Sequence, residues 1–154
     1  MKLYFLDSSA LVKRYVAETG SAWVQNLTDP ASGNPIVVAR ITWVEVHSAL
    51  SRLQRLQNLS PQNVTSAIEA FRFDWKTQYQ VVELKIRVTQ LAGQLVQNHI
   101  LRAYDAVQLA SALYLFPEFA STSPNPFTFI SADSRLLNIA QAEGLPIDDP
   151  INHP

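Results

Sequence analysis

Apolar residues along this chain follow two alternating patterns. Leu3-Tyr4-Phe5-Leu6, Ile36-Val37-Val38-Ala39, Gln80-Val81-Val82-Glu83-Leu84 and Phe127-Thr128-Phe129-Ile130-Ser131 are short runs rich in β-branched or aromatic residues, and they read as strands. Between them the spacing turns helical: Ala10–Tyr15, Ser21–Leu27, Thr42–Gln57, Ile86–Gln97, Ala103–Leu115 and Ser134–Glu143. The Thr42–Gln57 segment places Val46, Ala49, Leu50, Leu53 and Leu56 on one side. Ser60 and Pro61 then supply a cap and a first-turn proline for a helix running to about Gln78, with Val64, Ala67, Ile68, Phe71 and Trp75 as its apolar side. Gly144 stops the last helix, and Leu145-Pro146-Ile147 is a candidate edge strand. Phe116 to Pro126, with Pro117, Pro124 and Pro126, reads as an exposed loop.

Short apolar strands alternating with helices predict a parallel sheet covered on both faces. The expected fold is a three-layer α/β/α sandwich around a mostly parallel sheet. It forms one domain over residues 1–150, followed by a polar tail at 151–154. No internal repeat or low-complexity tract interrupts it.

Composition narrows the chemistry. With no cysteine among 154 residues, disulfide scaffolds, thiolate zinc sites and cysteine nucleophiles are excluded. No stretch reaches membrane length, so a cytoplasmic protein without a membrane partner is expected. The net charge of −1 is weak for a protein that holds polyanions by bulk charge. Binding to nucleic acid would need a local basic patch or bound metal ions.

Four acids stand out. Asp7 closes the first strand and Asp133 lies just past the strand ending at Ser131. If those strands are parallel, both carboxylates emerge on one edge of the sheet, where open α/β sheets bind ligands. Glu45 shares a helical row with Ile41 and Ala49, and Asp105 one with Leu101 and Leu109. A charge on an apolar row is costly unless it is paired, hydrogen-bonded or bound to metal.

Each acid alone has a plain structural reading. Asp7 and Asp133 could cap helices, Glu45 could pair with Arg40 or Arg52, and Asp105 with Arg102 or the positive end of its helix. Jointly, two strand-end acids and two acids on apolar rows point to one shared site. Clustered carboxylates repel and suit a hard divalent cation, Mg2+ or Mn2+. His47, His99 and His153 form no ligand set and read as surface or core residues.

The same residues resemble a known family, the PIN-domain ribonucleases, and within it the VapC-like toxins of toxin–antitoxin pairs. Leu6-Asp7-Ser8-Ser9-Ala10-Leu11-Val12-Lys13 is similar to the family's opening strand and acidic turn. Trp43-Val44-Glu45-Val46 resembles its second acidic motif, and Arg102-Ala103-Tyr104-Asp105-Ala106-Val107-Gln108-Leu109-Ala110-Ser111-Ala112 its third. Ile130-Ser131-Ala132-Asp133-Ser134-Arg135-Leu136 resembles the closing motif, with serine where the family often has threonine. The proline-rich loop before it is longer than the family pattern.

The resemblance implies that Asp7, Glu45, Asp105 and Asp133 are catalytic and hold the divalent ions, with Ser9 or Ser131 assisting. It also implies an RNA substrate, a cognate antitoxin and a homodimer. Lys13, Arg14, Arg102 and Arg135 are candidates for RNA backbone contacts, with ordinary surface charge as the alternative for each. Two rival readings remain. A catalytically inactive scaffold that only binds protein or RNA would not need all four acids. A phosphoryl-transfer domain using Asp7 as acceptor would call for a second acid beside it and a late lysine. Here Ser8 and Ser9 follow Asp7, and no lysine lies beyond Lys85.

Overall fold

Parallel strands cannot be joined by tight hairpins, so each connection here crosses a face of the sheet. The computed structural model describes residues 2–122, 124 and 126–154. Met1, together with Ser123 and Asn125 of the expected loop, lies outside the described residues. Strands β1 (Leu3–Leu6), β2 (Ile36–Ala39), β3 (Gln80–Val82), β4 (Phe127–Ile130) and β5 (Ile147–Asp148) form one sheet in the order β3-β2-β1-β4-β5. All four pairings are parallel. The helices are α1 (Ser8–Leu11), α2 (Ser21–Leu27), α3 (Thr42–Arg55), α4 (Pro61–Thr77), α5 (Ile86–Asn98), α6 (Ala103–Leu115) and α7 (Ser134–Ala142).

The two-residue period of the strands divides the core between two faces. Leu3, Phe5, Val37, Ala39, Phe127 and Phe129 point to one side, against Val88, Ala92, Leu109, Ala110 and Leu136 of α5, α6 and α7. Leu6, Ile36, Val38 and Ile130 point to the other, against Leu11, Val24, Val46, Leu50, Val64 and Phe71 of α1 to α4. That is the three-layer sandwich the sequence predicts. Phe5 and Phe129, in register on β1 and β4, stack with ring centroids 5.7 Å apart. Each fully buried phenylalanine contributes about 1.5–3 kcal/mol by leaving water.

Three segments depart from the sequence reading. The helix expected over 10–15 is a short α1 followed by a tighter 3-10 turn at Val12–Arg14, which alters where Lys13 and Arg14 face. The segment read as an exposed loop begins with a 3-10 turn at Phe116–Glu118, and the rings of Phe116 and Phe119 pack on Phe127 at 5.3 and 6.1 Å. The C-terminal residues, read as a polar tail, form a 3-10 turn at Pro150–Asn152 with Pro150 buried. His153 stacks on Trp23 at 4.2 Å and meets Asp148 at 2.9 Å.

That C-terminal turn is seated against the start of α2. Gly20 caps α2 with φ +85, and a Cβ there would overlap the backbone carbonyl of Pro150. Gly20→Ala is therefore predicted to destabilise the fold by roughly 1–3 kcal/mol from the left-handed backbone alone, with the overlap adding to it. Urea unfolding should show a lower midpoint with an unchanged slope. A midpoint equal to wild type would contradict both the left-handed backbone at Gly20 and its overlap with Pro150.

Candidate active site

The strand order places a switch point between β1 and β4. From β1 the chain builds outward through β2 and β3, then returns to the other side of β1 as β4. Crevices at such points collect ligands beyond the carboxyl ends of the strands. Asp7 leaves β1 there, and its backbone N–H continues the ladder by donating to the Ile130 carbonyl at 3.0 Å. Ser131, Ala132 and Asp133 leave β4 beside it.

Asp7 is buried, at 4% exposure. It does cap α1, its Oδ1 accepting from the Ala10 N–H at 2.9 Å. Ser9 Oγ donates to Oδ1 at 2.8 Å, and Ser131 Oγ donates to Oδ2 at 2.7 Å. The two hydroxyls also knit the strand ends together. Ser9 Oγ accepts from the Ala132 N–H at 2.9 Å, and Ser131 Oγ from the Asp133 N–H at 3.0 Å. Ser9 and Ser131 thus orient Asp7, with no charge of their own to balance it.

Every one of these donors is neutral. Burial pushes the Asp7 carboxyl up to about 6 from an ordinary 3.8, against the lowering effect of its hydrogen bonds, and the nearby Glu45 charge adds to the rise. Asp105, half-buried in the first turn of α6, is also raised. Burial is the main cause, followed by the charge of Asp133, with Arg102 and Arg135 acting in the opposite direction. Asp133 caps α7, its Oδ1 accepting from the Arg135 and Leu136 N–H groups at 2.9 and 3.3 Å. Glu45, in the first turn of α3, accepts from Gln108 Nε2 at 2.6 Å.

Asp7 and Glu45 thus lie within electrostatic reach of each other, as do Asp105 and Asp133. Among the described residues, no three Asp, Glu or His side chains already converge as a metal's ligands would. The donor set nonetheless fits a hard divalent cation. It is anionic, built of oxygen, and contains a buried carboxylate hydrogen-bonded only by neutral groups.

Two candidate RNA contacts are committed inside the protein instead. Lys13 is buried, with Nζ 3.1 Å from Glu18 Oε2. Arg14 Nε donates to Asp74 Oδ2 at 2.7 Å, and its Nη1 donates to the Thr28 carbonyl and hydroxyl at 2.9 and 2.7 Å. Arg102 and Arg135 are exposed and flank Asp105 electrostatically. Arg40, weighed as a partner for Glu45, pairs with Glu83. The histidines are engaged elsewhere: His47 with the Trp43 carbonyl, His99 with Glu143 and His153 with Asp148.

Gln108 and Thr42 escaped the sequence reading. Both are buried polar residues on helices that carry the acids. The available signal was a glutamine set between Val107 and Leu109-Ala110, within a largely apolar helix.

The raised carboxyl of Asp7 has a consequence for stability. In EDTA the folded chain binds this proton more tightly than the unfolded chain does. Its stabilising effect is complete below about pH 4 and is lost as pH rises through about 6. The difference between about 6 and 3.8 is worth roughly 3 kcal/mol at neutral pH. Asp7→Asn is thus predicted to be more stable than wild type at pH 7.5 in EDTA, by an amount up to that size, and to lose its advantage at pH 4. Paired denaturant curves at the two pH values measure this; a variant that is less stable at both would contradict the buried, unbalanced carboxylate.

Comparison with known proteins identifies the family. Residues 4–141 match the PIN domain family. Two curated relatives from Mycobacterium tuberculosis, Ribonuclease VapC45 (strain CDC 1551 / Oshkosh) and Ribonuclease VapC49 (strain ATCC 25618 / H37Rv), are each 36% identical over 113 residues. Each alignment spans 73% of this chain and 76% of the relative. Among solved structures, VapBC2 from Rickettsia felis bound to a DNA fragment from its promoter matches with a TM-score of 0.61 at 14% identity. It covers 96% of this chain and 98% of that one. With the family's pattern matched over residues 4–141 and the five-stranded parallel sheet in place, the chain belongs to the PIN-domain family.

Proposed function

We propose that this protein is a divalent-metal-dependent ribonuclease that hydrolyses RNA phosphodiester bonds, as the toxin of a toxin–antitoxin pair. The observation that carries the reading is Asp7: a buried carboxylate held by neutral donors, beside Glu45, at the switch point of the sheet. Asp7, Glu45, Asp105 and Asp133 would hold the cation. A bound Mg2+ or Mn2+ supplies Lewis acidity, making water more acidic and offsetting charge on the phosphate. Ser9 and Ser131 fix the direction of the Asp7 oxygens. Arg102 and Arg135, both exposed, would contact phosphates flanking the scissile bond.

The curated relatives carry the name ribonuclease, which supports the substrate class. The solved relatives include toxin–antitoxin complexes, which supports a protein partner. An apolar surface is available for a partner or for a second copy of the chain: exposed Val44 and Leu84 border a hollow of about 300 Å³ lined also by Trp43 and Trp75. No helix among the described residues is long and apolar enough to cross a membrane. A cytoplasmic location is consistent with an RNA substrate.

The test is cleavage of a defined RNA pool with Mg2+ or Mn2+ and with EDTA, followed by mapping of the new ends. Attack by water leaves 5′-phosphate and 3′-hydroxyl ends, and EDTA should abolish cleavage. Asp7→Asn and Asp105→Asn should each lower the rate at least about a hundredfold, the scale of losing a charge partner of the transition state. Cyclic phosphate ends, or cleavage that persists in EDTA, would overturn the mechanism. Wild type and Asp7→Asn behaving alike, with no cleavage, would leave a binding scaffold as the answer.

A further inference from the structure

Gln108 lies in the middle of α6, one turn beyond Asp105 on the same side of the helix. It is 1% exposed. Its Nε2 donates in two directions, to Glu45 Oε2 at 2.6 Å and to Thr42 Oγ1 at 2.8 Å. Both acceptors belong to the first turn of α3, on the opposite face of the sheet from α6. Its Oε1 is buried with no donor among the described residues.

An orphaned acceptor in a protein interior is costly, and a native structure that keeps one calls for an explanation. Turning the amide over would set Oε1 against the Glu45 carboxylate, oxygen facing oxygen. The negative charge of Glu45 therefore fixes the orientation observed. A leucine or methionine would fill the same space without an orphan. Core packing does not account for this side chain; what it holds does.

Glu45 needs such a hold. It is half-buried, and its flexible side chain could otherwise turn outward. Among the described residues no cation pairs with it, and Arg40 is taken by Glu83. Thr42, fully buried, anchors the second hydrogen of the amide and so prevents Gln108 from following Glu45 if it moves.

We propose that Gln108 is a positioning residue, whose bridge to Thr42 and Glu45 holds the Glu45 carboxylate near Asp7, where it would serve as a ligand for a divalent cation. This rests on the reading of the four acids as metal ligands. It also gives α6 a double duty: one turn presents Asp105, and the next holds the acid contributed by α3. Groups that orient ligands in this way commonly govern affinity by 10–100-fold.

The test measures Mn2+ affinity of the full chain by titration calorimetry, with melting temperature recorded alongside. Variants are Gln108→Met, which keeps the length but not the donors, Glu45→Gln, their combination, and Thr42→Val alone and with Glu45→Gln. Gln108→Met should weaken Mn2+ binding about tenfold, with little or no loss of melting temperature. In the Glu45→Gln background it should cause no further loss, because the residue acts through Glu45. Thr42→Val should act in the same direction, more weakly, and also fall silent without Glu45. RNA cleavage by Gln108→Met should show a fall in kcat with KM for RNA nearly unchanged. Unchanged Mn2+ affinity in Gln108→Met, or an equal loss with and without Glu45, overturns the proposal alone. Wild-type affinity in Glu45→Gln overturns the ligand assignment of Glu45 and the proposal with it. Should Gln108→Met fail to fold, the Thr42→Val pair decides by the same comparison.

Discussion

The parallel pairing of β1 with β4 is the constraint from which the rest of this site follows. Four residue pairs run in register from Leu3 with Phe127 to Leu6 with Ile130, and the ladder continues through the Asp7 N–H. Parallel neighbours end at the same edge, so the residues that follow both strands must emerge together. Asp7 and Asp133 leave the sheet at the same edge because Phe5 and Phe129 stack and Leu6 and Ile130 are fully buried below them. Slipping the register by one residue would turn these apolar side chains to the wrong face and part the two acids at once. Site geometry and core packing are thus set by one pairing.

Capping and function are not alternatives here. Asp7 accepts from the Ala10 N–H and so starts α1, and Asp133 accepts from two N–H groups and starts α7. A helix start supplies backbone donors and the positive end of a dipole, both of which favour a carboxylate. Those donors fix the carboxylates in direction without cancelling a full charge. The helix starts thus hold both acids still at the carboxyl edge of the sheet.

Much of this was legible in the sequence. The strand and helix segments follow from local period, and local period is set by neighbours in the chain; α2, α6 and β2 match their predicted limits. The acids were legible because a charge on an apolar row, such as Glu45 or Asp105, conflicts with burial in any fold. The fates of Lys13 and Arg14 were not. Arg14 meets Asp74, sixty residues away, and a shift from α to 3-10 geometry at Val12 changes how both cations face. Gln108 was hidden for the same reason, since its partners lie 63 and 66 residues earlier and a single glutamine in a helix draws no notice. The Phe116–Phe119 packing was masked by prolines, which mark where a helix ends but say nothing about where aromatic rings then settle.

The charge balance explains why a chain of net charge −1 can be built to handle a polyanion. Two of the four cations near the acidic motifs are tied up in structural pairs with Glu18 and Asp74, leaving Arg102 and Arg135 at the rim. An acidic crevice so sparsely balanced repels phosphate unless something reverses its sign. Burial of Asp7 among neutral donors creates the same demand from within, since an ionised carboxylate there opposes folding at neutral pH. On the proposed function, a divalent cation would answer both demands at one point. The local instability of the fold and the attraction of RNA to the acidic edge would then be two effects of a single arrangement, in which the chain itself leaves a buried negative charge unbalanced.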